Sequence, residues 1–337
     1  MTMLRRASGF VCRHAWIAIA LFAWAYGVRT SGEAEFRTIS AAPFALNLPP
    51  QDQYLYSSPF TFFVGSYYQH HGLDYAWAFF VVNALGLAAF FGSLSRLLAT
   101  ERFVNRSAAA LVLFTSPLLL VMLSWIGKSD AYLLAFYFMF TLSESRVAQV
   151  ILAGLMITCH AEMGAVVLGV DWCLTRKRTV AIALGVIAGE AAVFTYTHLL
   201  LSPSPDSRVT YAMAHAAELW TIFRSHPFLH LAATLGPFWL YASTRMFRHP
   251  VRPVLFAAAL TLAAASYDFT RVFVIVSTPM LLVITREVVA DSFRDGVISI
   301  GRHRLSVCAL WPLMFFQFQY AGFRLLFAQG VRVALRG

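Results

Sequence analysis

The chain has 337 residues, 59% of them hydrophobic and only 12% charged, with a mean hydropathy of +0.66. A water-soluble domain carries about 25% charged residues, so a soluble enzyme, a disordered tail and a nucleic-acid module all fit poorly. The formal charge of +10 lies between long apolar runs rather than on one face, which reads as membrane topology signals and not as a polyanion-binding patch. Arg5, Arg6 and Arg13 precede an apolar run from Val11 to Val28. A basic flank and an apolar core also suit a cleaved signal peptide. No small-x-small cleavage site follows Tyr26, so a retained first span is preferred. About 20 mainly apolar residues cross a bilayer. On that rule spans fall at 10–28, 74–95, 107–126, 130–143, 180–201, 226–243, 253–268, 270–285 and 305–323. Residues 29–73 form a long first extracytoplasmic loop rich in proline and aromatic residues, suited to interfacial helices. Residues 202–225 form a second, opening on Ser202-Pro203-Ser204-Pro205. Cys12, Cys159, Cys173 and Cys308 have no disulfide-framework or zinc-ligand spacing.

The stretch 147–174 is too long for one snug span and too short for two, and Cys159-His160-Ala161-Glu162 interrupts its centre. Charge bias decides how it runs. As one span it would put Arg176-Lys177-Arg178 on the same side as the loop after the first span, against the positive-inside rule. As a pair of short helices that enters, turns at His160–Glu162 and returns, it puts that cluster inside. Arg96, Arg102, Arg106, Arg146, Arg245, Arg248 and Arg252 then lie inside as well. Irregular backbone at membrane depth requires surrounding protein or a watered cavity. The predicted fold is thus all-α: one polytopic transmembrane domain over 1–337, with about 9–11 spans including a short broken helix pair. It sits in the inner (plasma) membrane with a cytoplasmic N-terminus.

This topology gathers most carboxylates outside. Glu33 and Glu35 are candidate bases; in an extended segment they point the same way, in a helix they diverge, and Glu35 lies deeper beside Phe36. Their plainer role is a solvated acidic pair. Asp52 and Tyr54 belong to the same outer loop. Lys128-Ser129-Asp130 offers a phosphate contact and a second carboxylate; the plainer roles are interfacial snorkelling for Lys128 and a helix-start acid for Asp130. His160 and Glu162 are the sharpest signal, because ionisable groups inside a membrane segment are expensive. They could equally form a buried pair that holds the hairpin open. Asp268 and Arg271 are three apart, so one helical turn would pair them; otherwise the guanidinium is free for a phosphate. Glu190, alone inside its span, reads as structural. His70-His71 is a weak metal pair because adjacent side chains diverge.

The order of features resembles the GT-C superfamily of membrane glycosyltransferases, which use polyprenyl-phosphate-linked sugars. Gly32-Glu33-Ala34-Glu35-Phe36 stands where that family has an early acidic residue after the first span. Tyr54-Leu55-Tyr56-Ser57-Ser58-Pro59-Phe60 occupies its proline-and-aromatic lead into the second. Gly127-Lys128-Ser129-Asp130 occupies its acidic outer turn. A short helix pair and a basic cluster follow, with His160 and Glu162 where the family carries a lysine. The resemblance covers about residues 10–200. It implies transfer of a sugar from a polyprenyl-phosphate donor to a hydroxyl on a glycan or glycolipid acceptor, in envelope polysaccharide or glycolipid assembly. Glu35, Glu33 and Asp130 would be catalytic. Arg271, Lys128 and His160 would contact the donor phosphate, with Glu162, Asp268, Asp52 and Tyr54 in support. The partners are then a lipid-linked sugar, membrane lipid and a glycan, with no nucleic acid. No cofactor is fixed, although a divalent cation could offset the phosphate charge.

Two other classes compete. A transporter or lipid-linked sugar flippase would use His160, Glu162 and Glu190 as a path, and a polysaccharide polymerase would need arginines in large outer loops. A non-enzymatic scaffold is a further reading.

Overall fold

The computed structural model describes residues 15–26, 29–100, 105–201, 205, 208–294, 297–300, 303–306, 310–314, 316–321 and 324–327. Helices dominate it. In chain order they are α1 (Ala15–Tyr26), α2 (Glu33–Ala41), a 3-10 segment (Pro50–Ser57), α3 (Phe60–His70), α4 (Tyr75–Leu98), α5 (Arg106–Leu113), α6 (Leu118–Ser124), α7 (Asp130–Leu142) and α8 (Arg146–Cys159). There follow α9 (Ala161–Thr175), α10 (Thr179–Phe194, continued as a π-helix to Leu200), α11 (Arg208–Ala214), α12 (Ala216–Ser225), α13 (Pro227–Leu235), α14 (Trp239–Arg245), α15 (Val251–Ala264) and α16 (Phe269–Ser292). Beyond α16 come β1 (Phe293–Arg294), β2 (Val297–Ile300), β3 (His303–Ser306), the short α17 (Leu310–Met314), β4 (Phe318–Ala321) and β5 (Arg324–Phe327). The strands form a β1-β2-β3 antiparallel meander and a β4-β5 hairpin.

Tyr75–Leu98, Thr179–Leu200 and Phe269–Asp291 are each long and apolar enough to cross a membrane. Arg106–Leu113 and Leu118–Ser124, bent by 69°, make a fourth crossing if read together. Asp130–Leu142, Arg146–Cys159 and Val251–Ala264 are apolar but shorter. Fewer full-length crossings result than a hydropathy window predicts, because a window counts apolar residues and not unbroken helix. The expected last span, 305–323, is the clearest departure: its described residues are strand at 305–306 and 318–321 and a short helix at 310–314. Residues 29–73, expected as the first outer loop, are mostly helical, built from α2, the 3-10 segment and α3. Residues 202–204 and 206–207 of the second lie outside the described residues, as do Cys12 and Cys308.

The chain divides into two compact units. One, here the hairpin unit, comprises 29–97 and 125–217; the other, the crossed-helix unit, comprises 1–28, 98–124 and 218–337. In the hairpin unit, α8 and α10 approach closely because Gly185 and Gly189 present no side chain to Ala153 and Ile157. Side chains fix the helix starts. Asn105 caps α5, accepting from Ala108 N at 2.9 Å, and Ser145 caps α8. In the crossed-helix unit the start of α15 is tied to the end of α16. Arg252 makes a two-pronged pair with Glu287, and Arg248 pairs with Asp291. Hydrogen bonding to Asp291 raises the Arg248 guanidinium, whereas burial pulls Arg245 below its ordinary value.

Candidate functional site

The site rests on helix lengths. Helices α7, α8 and α9 have 13, 14 and 15 residues, a rise of about 20–22 Å each. Their basic ends are level. The Arg178 guanidinium donates to Thr141 O at 2.9 Å and lies 3.9 Å from Asp171, while Tyr137 donates to Asp171 at 3.0 Å. The chain therefore climbs α8, turns at His160 and returns down α9, so Arg176, Lys177 and Arg178 share an end with Arg146. At the other end Asp130 is within electrostatic reach of Cys159. Helix α4, at 24 residues, rises about 36 Å. The α7 start meets it part-way down. Tyr132 donates to Val82 O at 2.6 Å, and Asn83 accepts from Gly127 N at 2.7 Å. Those residues lie about 11 Å below the start of α4. Three helices thus end together, each about 10 Å shorter than a hydrocarbon core about 30 Å thick, and their polar ends form one floor.

Glu33 and Glu35 both lie in the first turn of α2, so they diverge. Glu33 is exposed and Glu35 half-buried. A Cβ placed on Gly32, whose φ is +79°, would stand 3.0 Å from Lys128 Nζ and 3.7 Å from a Glu35 carboxylate oxygen. The two charged groups therefore flank that glycine, and any side chain there would drive them apart. Asp130 begins α7 and is 2% exposed. Its neighbour Ser129 shares a 3.2 Å hydrogen bond with Thr61 of α3.

His160 links α8 to α9 in an extended conformation and is buried. Its Nδ1 lies 3.4 Å from Met163 N and 3.3 Å from Glu162 Oε2. A neutral ring with bare Nδ1 accepts from Met163 N–H and caps α9. A protonated ring pairs with Glu162. One ring thus serves either as helix cap or as cation. Glu190, read from sequence as structural, is exposed on α10 and within electrostatic reach of Glu162. The available signal was a lone acid in an apolar span.

Beside this floor lies a cavity of about 490 Å³ walled by Phe60, Phe63, Tyr67, Tyr68, Thr158 and Tyr196. Thr158 is two residues before His160, so the apolar wall runs into the polar floor. Tyr196 is held by donation to Pro43 O and packs its ring 5.0 Å from Phe63.

Compared with family models, with curated proteins and with solved structures, the chain matches none. Its function is therefore argued from the geometry.

Within the hairpin unit one end collects Glu35, Lys128, Asp130, His160, Glu162 and Glu190. Asp52 and Tyr54 stand half-buried on the 3-10 segment. Asp268 and Arg271 belong to the other unit and pair with each other at 2.9 Å across one helical turn. That pairing occupies the Arg271 guanidinium locally. His70 and His71 are exposed at the end of α3, their ring centroids 5.8 Å apart. Among the described residues no group of three or more His, Cys, Asp or Glu is arranged to hold a metal ion.

Proposed function

We propose that this protein is an inner-membrane, multi-pass glycosyltransferase of the GT-C type, with its N-terminus in the cytoplasm. It would move a sugar from a polyprenyl-phosphate donor to an acceptor hydroxyl at the extracytoplasmic face. One observation supports the reading: a carboxylate, a lysine, a buried aspartate and a histidine lie at one end of a bundle of short helices, beside an aromatic-walled cavity. A lipid-linked sugar needs that juxtaposition, since its tail is apolar and its reacting end charged.

In this reading Glu35 removes the acceptor proton as the acceptor oxygen attacks the anomeric carbon. The bond from that carbon to the phosphate oxygen breaks, and polyprenyl phosphate leaves. Lys128 and protonated His160 offset the charge that grows on the leaving phosphate. Glu162 stands beside the ring, Asp130 orients the acceptor, and the cavity holds the first prenyl units.

The test uses membranes holding the full chain and a panel of polyprenyl-phosphate-linked hexoses and pentoses. Glu35→Gln should lower sugar incorporation by about 100-fold or more while the protein inserts and accumulates normally. Normal incorporation in Glu35→Gln, Glu33→Gln and Asp130→Asn together would remove the catalytic reading.

A further inference from the structure

The crossed-helix unit holds an assembly of buried polar groups of its own. Two apolar stretches are each interrupted at their centres. Residues 106–124 break at 114–117 between α5 and α6, and residues 227–245 break at the 3-10 turn Gly236–Phe238 between α13 and α14. Helix α16, which packs against both, carries Pro279 inside it. Proline lacks an N–H, so Ile275 O loses its ordinary donor.

The first two breaks face each other. A Cβ placed on Gly236 would stand 3.5 Å from Thr115 O, 3.7 Å from Gln317 Cγ and 3.7 Å from Pro117 Cδ. Gly236 has φ +52° and ψ −141°, a combination that glycine alone adopts readily. That conformation keeps the approach to Thr115 O open.

The hydrogen-bond accounting at this crossing does not close. Phe114 O accepts from the Gln317 amide, and the Thr115 and Ser116 hydroxyls turn back to Val112 O and Leu113 O. Among the described residues, no hydrogen bond to Thr115 O is seen. Thr115 is 0% exposed. The Tyr241 hydroxyl, also fully buried, lies beside Thr115 and makes no hydrogen bond of good geometry. Bare carbonyls at membrane depth cost several kcal/mol each unless something satisfies them. Broken helices with exposed carbonyls are a recurring way to coordinate a small cation in a membrane.

We propose that this crossing binds one monovalent alkali cation, with Thr115 O and the Tyr241 hydroxyl among its ligands. The oxygens assembled there are neutral, which suits a single positive charge and gives no carboxylate to hold a divalent ion. The nearest cation along the helix, Arg245, is one turn from Tyr241; its guanidinium is directed to Tyr241 O and Thr244 Oγ1. Glu287 and Asp291 lie within electrostatic reach of it and offset its charge.

The experiment uses the full chain in nanodiscs of zwitterionic lipid, with NaCl, KCl or N-methyl-glucamine chloride at constant ionic strength. Two readouts are taken: equilibrium binding of radioactive Na⁺, competed with K⁺, and the thermal unfolding midpoint. Saturable binding of one ion per chain is expected, with a higher midpoint in one or both alkali salts than in the glucamine salt. Tyr241→Phe should weaken that affinity about tenfold, the worth of one hydrogen-bonding group on a charge, while its midpoint in glucamine salt stays near the unmodified value. Equal midpoints in all three salts without saturable binding would mean that water satisfies this carbonyl, and the proposal fails. Unchanged affinity in Tyr241→Phe overturns the assigned ligand. If that variant does not accumulate, the unmodified protein decides the matter alone.

Discussion

The hairpin unit and the crossed-helix unit handle buried polarity in opposite ways. In the first, helices α7, α8 and α9 stop early, and ionisable groups sit at their ends. In the second, the apolar stretches 106–124 and 227–245 break at their centres, and the breaks carry hydroxyl, amide and carbonyl groups. The difference follows from the cost of charge. A carboxylate near the end of a short helix can reach solvent, whereas one at the centre of a packed bundle would have to neutralise or find a partner. The charges that the crossed-helix unit does bury obey the same rule. Arg252 and Glu287 pair at the end of the α15–α16 hairpin, away from the crossing.

Four substitutions test that division. The largest effect is expected for Glu287→Gln, which leaves the Arg252 guanidinium buried without its two-pronged partner. A loss of about 3 kcal/mol is expected, read by chemical unfolding in detergent. Adding Arg252→Met should recover much of it, and a double variant as unstable as the single one would show that packing, not charge, sets the cost. A smaller loss, about 2 kcal/mol, is expected for Gln317→Leu, which strips Phe114 O of its donor at the crossing. If the unfolding midpoint does not move, the break is satisfied by something other than this side chain. The smallest effect belongs to Arg248→Ala. Its side chain is 49% exposed and its partner Asp291 43% exposed, so solvent screens the pair and less than about 1 kcal/mol is expected. That difference should shrink further in 0.5 M salt, and an effect as large as that of Glu287→Gln would erase the distinction between buried and surface pairs.

Part of this arrangement is legible in the residues. The turn at His160 follows from a stretch of awkward length and a basic cluster that must return to one side. Helix α8 duly ends at Cys159 and α9 begins at Ala161. The Asp268–Arg271 pair follows from a three-residue spacing. These are interactions within a turn of helix or between neighbouring segments, so spacing alone specifies them.

Other features were settled by partners far along the chain. Residues 305–323 are apolar enough for a span, but pairing β3 with β2 and β4 with β5 makes strands of Leu305, Ser306 and Phe318–Ala321. Glu35, set apart from Glu33 in the sequence only by Phe36, is brought beside Lys128 around Gly32 by the helical start of α2. Glu190 gains its meaning from Glu162 on another helix, and Gly236 from Thr115, more than a hundred residues away. The sequence by itself determined where helices must stop, because capping, charge bias and apolar length act locally. Which of those ends and breaks meet was decided by tertiary packing, because a carbonyl or carboxylate acquires its role from the group that comes to face it.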